Sequence, residues 1–234
     1  MSKNIYVIFV AGGSGTRMGT RTPKQFLKLA GKPILLRTIQ RFVEALPDVK
    51  VLVVLPKIHF ETWKDICRQA DFEYPQILVE GGITRFHSVK NALARIREED
   101  GIVLVHDGVR PMVSVSLIRE IASRALDGES VVPVVPVTDT LKSLVKSSVV
   151  GEYVESGAPA PNRNLLFGAQ TPQGFPTNVL KKAYQRGFSP DYTDDASVVS
   201  DDKTPLIYIL GERYNIKVTT PEDLEFLEKV YQGL

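Results

Sequence analysis

Five short runs rich in β-branched and other apolar residues mark the first 137 positions: NIYVIFVA, KVLVVLP, QILVEG, GIVLVHDG and SVVPVVPV. Between them the apolar spacing changes to that of helices. Leu35, Ile39, Phe42 and Leu46 share one helical face opening near Pro33. Phe86, Val89, Leu93 and Ile96 share a second, and Leu117, Ile121 and Leu126 a third. Continuously apolar strands alternating with helices predict an α/β fold with a mainly parallel sheet covered on both faces. In such sheets ligands bind beyond the carboxyl ends of the strands.

The pattern breaks after Val137. The stretch TDTLKSLVKSSVVGEYVESGAPAPNRNLLFGAQTPQGF alternates like strands around a Gly/Pro-rich turn, and it predicts a hairpin arm leaving the main sheet at about 138–165. The chain then returns through the helical TNVLKKAYQRG, the strand-like PLIYILGE and a last helix. Thr220 and Pro221 suit the cap and first position of that helix, with Leu224, Leu227 and Val230 as its core stripe. Residues 1–234 are read as one domain carrying one arm. Because a lone two-stranded ribbon is marginal in water, a second copy of the chain is the expected cover for it.

A chain of 234 residues with 43% hydrophobic content suits a single α/β domain with a real core. The net charge of +2 gives no footprint for a nucleic-acid binder, so basic function must come from local placement. Cys67 is the one cysteine, which leaves no disulfide framework and no cysteine-built zinc site within the chain. No apolar run reaches membrane-spanning length, and the opening MSKNIYVIFVAGG reads as a buried strand rather than a signal peptide. A soluble, cytoplasmic protein is expected.

Immediately after the first strand, AGGSGTRMGTRTPKQF gathers glycines with Arg17, Arg21 and Lys24. It is neither a P-loop, since Gly31-Lys32 is followed by Pro33, nor a dinucleotide fingerprint, since Met18 stands where the third glycine belongs. A Gly-rich strand-to-helix loop can still cradle phosphates with its backbone N–H groups, with Arg17 and Lys24 supplying charge. The alternative is a flexible turn with incidental bases. VHDGVRP ends the fourth strand at the same sheet edge with Asp107 and Arg110. Asp107 is either a hard oxygen ligand for Mg²⁺ or a local partner of Arg110. His106 is read as structural, and His59 and His87 lack partners at metal-ligand spacing. In EGGITRFHSVKNAL, Gly81 and Gly82 precede a helix with Ser88 in its first turns, suited to the edge of a base or to a plain turn. In YNIKVTTPEDL, Lys217 lies in a strand-like piece, as an edge charge or as a cation aimed at a ligand.

Taken in order, AGGSGTRMG…PKQF, GG…S, HDGVRP, TDT, TPQGF, TDDAS and NIKVTTPEDL span nearly the whole chain. This set resembles the 2-C-methyl-D-erythritol 4-phosphate cytidylyltransferase family of the non-mevalonate isoprenoid pathway. Ribitol-5-phosphate cytidylyltransferases share the architecture and most of the front half, whereas TDDAS and NIKVTTPED are closer to the methylerythritol enzymes. The resemblance implies a Rossmann-like nucleotidyltransferase fold, Mg²⁺, and a homodimer with exchanged arms. It implies that Gly13, Gly15, Arg17 and Lys24 hold the phosphates of CTP, and that Gly82 and Ser88 hold cytosine and its surroundings. Asp107, Arg110, Thr140, Arg163, Thr171, Thr193 and Lys217 would surround the sugar-alcohol phosphate and the metal, with Thr140 and Arg163 supplied by the partner's arm. Arg17, Lys24 and Lys217 would be catalytic. Ile83 stands where relatives carry a polar residue, and Tyr214 where some carry Asp, which bears on any second metal carboxylate.

The implied reaction is attack by the substrate's phosphate on the α-phosphorus of CTP. A phosphate monoester has its second pKa at about 6, so it needs no general base near neutral pH. Positive charge and positioning are the equipment this chemistry requires. The rival readings are the same transfer to ribitol 5-phosphate, transfer from another nucleotide to a hexose 1-phosphate, and nucleotide binding without catalysis.

Overall fold

The computed structural model of the protein describes residues 3–13, 19, 22–200 and 204–233. Its central strand is β1 (Asn4–Val10), followed by the short antiparallel pair β2 (Lys28–Leu29) and β3 (Lys32–Pro33). Helix α1 (Ile34–Ala45), β4 (Lys50–Leu55), α2 (Phe60–Gln69), β5 (Gln76–Glu80) and α3 (Arg85–Leu93) complete the first half. β6 (Gly101–Asp107), α4 (Val115–Leu126) and β7 (Val131–Pro136) come next. The arm pairs β8 (Leu144–Lys146) with β9 (Tyr153–Glu155). The chain re-enters the sheet with β10 (Phe167–Ala169) and β11 (Gln173–Pro176). It ends with α5 (Thr177–Tyr184), α6 (Asp195–Ser200), β12 (Ile207–Leu210) and α7 (Pro221–Gln232).

The strand order is β10-β7-β11-β6-β1-β4-β5, with β12 also paired to β7. β1, β4, β5 and β6 run parallel to one another, as does β12 beside β7, while β10 and β11 are antiparallel to the strands they join. The strands read as unbroken apolar runs because both faces are covered. Val7, Phe9, Val51, Val53 and Leu104 point to the side packed by α1, α2 and α4. Tyr6, Ile8, Leu52, Val54, Val103 and Val105 point to the side packed by α3, α5 and α6. Period-two alternation thus feeds two cores.

From β1 the chain winds outward through β4 and β5, then returns to place β6 on the other side of β1. The crevice therefore opens where β1 and β6 end together, at the register pair Val10 and Asp107. This is the switch point at which an open α/β sheet leaves room for a ligand.

Two expectations need correction. Residues 215–219 contain no strand. That segment is an extended loop fixed by the Val218 N–H donating to the Val109 carbonyl at 2.9 Å. On α7 only Leu227 is fully buried, whereas Leu224 and Val230 are half-buried, because this helix lies on a flank of the domain.

Candidate active site

Four segments meet at the β1–β6 crevice: the loop after β1, the turn from β5 into α3, the end of β6 and the extended 215–219 segment. Together they enclose a cavity of about 420 Å³ whose walls include Gly13, Lys24, Gly82, Ser88, Asp107 and Lys217. A second cavity of about 240 Å³ shares Asp107 and Lys217 and adds Arg110, Thr171 and Thr193. Residues expected from dispersed motifs are thereby brought to one place. Gly15 and Arg17 lie outside the described residues. Thr140 and Arg163 are exposed and line neither cavity, and Arg163 donates from Nη1 to the Thr138 carbonyl at 3.1 Å.

Asp107 sits between the two cavities. Arg110 Nε is 3.2 Å and Lys217 Nζ 3.1 Å from its Oδ2, and Arg85 Nε is 3.9 Å from its Oδ1. The local pairing with Arg110 and the convergence of other cations are therefore both present. Burial by itself would raise the carboxyl's pKa. Arg85, Lys217 and Arg110 outweigh it and hold the group well below the usual carboxylate range. Lys24 donates to the Val218 carbonyl at 3.1 Å, next to Lys217. Lys24, Arg85 and Lys217 line the larger cavity together with one carboxylate, Asp107, and Arg85 is paired with Asp195 as well. An arrangement with that excess of positive charge is built for a polyanion.

The turn into α3 is tightly specified. A Cβ on Gly82 would lie 2.3 Å from the Cβ of His87, so only glycine fits there. The Gly82 N–H donates to Ser88 Oγ at 3.1 Å, and the Ser88 hydroxyl donates to the Thr84 carbonyl at 3.0 Å. Ser88 therefore shapes the loop with its own hydrogen bonds. Ile83, 97% exposed, stands at the cavity wall with its side chain in solvent.

Thr171 is similarly committed. The Asp107 N–H donates to Thr171 Oγ1 at 3.0 Å, and that hydroxyl lies 3.0 Å from His106 Nδ1. It holds the end of β6 while lining the smaller cavity. Gln170 does the same for the segment before Lys217: it donates to the Glu212 carbonyl at 2.8 Å and accepts from the Glu212 N–H at 3.0 Å. Arg110 Nη1 donates to the Asn215 carbonyl at 2.7 Å, which ties that segment to β6.

Sequence reasoning missed Arg85. It occupies the first position of α3, where the helix dipole disfavours a cation. Its Nη2 is 2.5 Å from Oδ2 of the wholly buried Asp195, whose Oδ1 accepts from the Tyr184 hydroxyl at 2.6 Å. Burial opposes the Arg85 charge, but Asp195 outweighs it and raises the pKa above the ordinary value. The readable signal was the charge of the wrong sign at a helix start.

Among the described residues, no three His, Cys, Asp or Glu side chains gather into a metal cage. Nor is any helix there long and apolar enough to cross a membrane.

Comparison with known proteins gives the family. The family model for 2-C-methyl-D-erythritol 4-phosphate cytidylyltransferase matches residues 5–232. A protein of that name from Phocaeicola vulgatus is 43% identical, covering 96% of this chain and 98% of its own. One from Bacteroides fragilis is 41% identical, covering 93% and 95%. The crystal structure of 4-diphosphocytidyl-2C-methyl-D-erythritol synthase from Anaerococcus prevotii superposes with a TM-score of 0.78 at 26% identity, covering 98% and 96%. That of the cytidylyltransferase from Thermus thermophilus gives 0.70 at 29%, covering 99% and 100%. The chain belongs to the 2-C-methyl-D-erythritol 4-phosphate cytidylyltransferase family.

Proposed function

We propose that this protein transfers the cytidylyl group of CTP to 2-C-methyl-D-erythritol 4-phosphate, releasing pyrophosphate, as a step of isoprenoid biosynthesis in the cytoplasm. The observation that carries the proposal is the convergence of Arg85, Arg110 and Lys217 on Asp107 where two cavities join, with Lys24 in the wall of the larger one. The larger cavity suits the nucleotide and the smaller the acceptor phosphate.

An oxygen of the acceptor's phosphate forms a bond to the α-phosphorus. The bond from that phosphorus to the α–β bridging oxygen breaks, and the electron pair departs on pyrophosphate. With its second pKa at about 6, the phosphate is mostly a dianion near neutral pH, and no proton need be removed. His106, the imidazole next to Asp107, suits no such role. It is fully buried, and burial pushes its pKa down to about 3. Lys24, with Arg17 and the backbone N–H groups of Gly13 and Gly15, is assigned to the triphosphate and its leaving charge. Gly82 and Ser88 shape the wall toward the base. Lys217 and Arg110 hold the attacking phosphate, with Thr171 and Thr193 in the same wall and Thr140 and Arg163 reaching it from the partner of a homodimer.

Asp107 would hold Mg²⁺ through Oδ1, since Arg110 and Lys217 engage Oδ2 and Arg85 comes no closer to Oδ1 than 3.9 Å. Bound there, the ion would neutralise phosphate charge. A charge-neutralised, positioned phosphate is what in-line transfer demands.

The test is pyrophosphate release from CTP with 2-C-methyl-D-erythritol 4-phosphate, run beside ribitol 5-phosphate. Faster release with the methylerythritol substrate is expected. Lys24→Ala should lower turnover by about 10²- to 10³-fold, the loss typical of one preorganised electrostatic contact. Preference for ribitol 5-phosphate, or CTP binding with no pyrophosphate from either acceptor, would refute the assignment.

A further inference from the structure

Arg85 is held as a structural cation would be, yet one part of it is left over. Its Nη2 meets Asp195 at 2.5 Å and its Nε lies 3.9 Å from Asp107. Asp195 is satisfied on its other oxygen by Tyr184. No acceptor among the described residues meets the Arg85 Nη1, and this nitrogen is not one of the two sealed, unpartnered side-chain atoms, Thr177 Oγ1 and Asn215 Oδ1. It is therefore open to solvent, and the solvent beside Arg85 is that of the two cavities, both of which it lines. A buried ion pair needs excellent geometry to offset its desolvation. Anchoring α3 to α6 explains Nη2 but not a second face of the fork left open at the wall between two substrate cavities.

We propose that Arg85 is a further catalytic residue, its Nη1 binding a non-bridging oxygen of the phosphoryl group being transferred. This rests on reading the site as a cytidylyl-transfer centre. The transferred phosphoryl is the one group that must lie at the junction of the two cavities, because one substrate delivers it and the other attacks it. Asp194 also lines the smaller cavity, so with Asp107 and Asp195 it balances Arg85, Arg110 and Lys217 in formal charge, and it is the open N–H of the fork, not a surplus of charge, that is offered to that oxygen. Asp195 and Tyr184 fix the fork in advance of the reaction, and that preorganisation is what makes such a contact effective. The fork matters as well as the charge. A guanidinium serves a carboxylate and a phosphoryl oxygen together, whereas an ammonium in the same place is a point charge.

The experiment compares the wild type with Arg85→Gln, Arg85→Lys and Asp195→Asn, measuring pyrophosphate release and, separately, equilibrium CTP binding by calorimetry. In Arg85→Gln, kcat is expected to fall about 10²- to 10³-fold, while the CTP dissociation constant stays within about threefold, since the other phosphates are held elsewhere. Arg85→Lys should lose about tenfold in kcat with CTP binding retained, and it decides the matter if Arg85→Gln does not fold. Asp195→Asn keeps the guanidinium and should lose less than Arg85→Gln. Arg85 variants that bind CTP and turn over within about threefold of wild type would overturn the inference. So would an Asp195→Asn loss equal to that of Arg85→Gln, since Arg85 would then be an anchor. A wild type that releases no pyrophosphate is a different result, and it would remove the transfer reading itself.

Discussion

At the scale of single residues, the end of β6 is organised by one proton arrangement. The Asp107 N–H donates to Thr171 Oγ1, the Thr171 hydroxyl donates to His106 Nδ1, and His106 Nε2–H donates to the Arg110 carbonyl at 3.2 Å. Of the two neutral tautomers, only the one protonated on Nε2 satisfies all three bonds. The ring is also packed against Phe9 and Phe42, at 6.1 and 4.8 Å between centroids. Burial therefore pushes the pKa to about 3, far below that of the unfolded chain. Since the folded value is the lower one, the stability linked to His106 is fully present above about pH 6.5 and is lost as pH falls toward the folded value. Over that window the unfolded chain takes up one proton that the folded chain refuses, at about 1.4 kcal/mol per pH unit. His106→Gln should flatten the stability profile between about pH 6 and 4 by that slope. Urea midpoints at several pH values check this, and parallel profiles for variant and wild type would show that His106 does not titrate as buried. The family resemblance implies Thr171 as a substrate contact, and it does line the smaller cavity. Its hydroxyl is also bonded to the end of β6, a pairing across 64 residues that leaves no local trace in the sequence.

Among the elements, α7 shows what was legible and what was not. Its start was readable in TTPED. Thr220 caps it, Pro221 opens it, and Asp223 Oδ2 accepts the N–H groups of Thr219 and Thr220 at 2.7 and 2.8 Å and the Thr219 hydroxyl at 2.7 Å. Capping is local chemistry, so sequence carries it. The degree of burial of Leu224 and Val230 is set by where the helix docks, which sequence does not state. The strands of the parallel half and helices α1, α3 and α4 were legible because continuous apolar runs and helical spacing report a two-faced core. β10 and β11 have three and four residues and carry no periodicity, so their antiparallel insertion between and beside longer strands was not. The cap also has a positional consequence. It follows Lys217 and Val218 directly, and Val218 is bonded to both Val109 and Lys24. Asp223→Ala removes three acceptor contacts and should lower unfolding free energy by about 1–2 kcal/mol, measured by urea denaturation. A change within about 0.3 kcal/mol would mean that the box adds nothing to the fold.

For the whole molecule, the described chain leaves its arm without a core. β8 and β9 pair over three register positions, and Leu144, Val145, Tyr153 and Val154 are each about half exposed on this ribbon. Beside the arm's return, Leu165, Phe167, Tyr208 and Leu210 line an open groove of about 780 Å³. A two-stranded ribbon is marginal alone, and contiguous exposed apolar surface marks an interface. Thr140 and Arg163 lie on this arm and outside both cavities of their own chain. These features fit a two-fold dimer in which each arm completes its partner's site. In such a dimer a site takes Lys24 from one chain and Arg163 from the other. A heterodimer of a Lys24→Ala chain with an Arg163→Ala chain then holds one doubly altered site and one intact site. Random pairing of the two variants makes half of the dimers mixed, so an equal mixture should recover about one quarter of wild-type turnover per site, although each variant alone is nearly inactive. If each arm instead served its own chain, every site would keep one lesion. Two differently tagged variants, co-purified as the heterodimer and assayed for pyrophosphate release, distinguish the arrangements: mixed dimers no more active than their parents would rule out the exchanged arm.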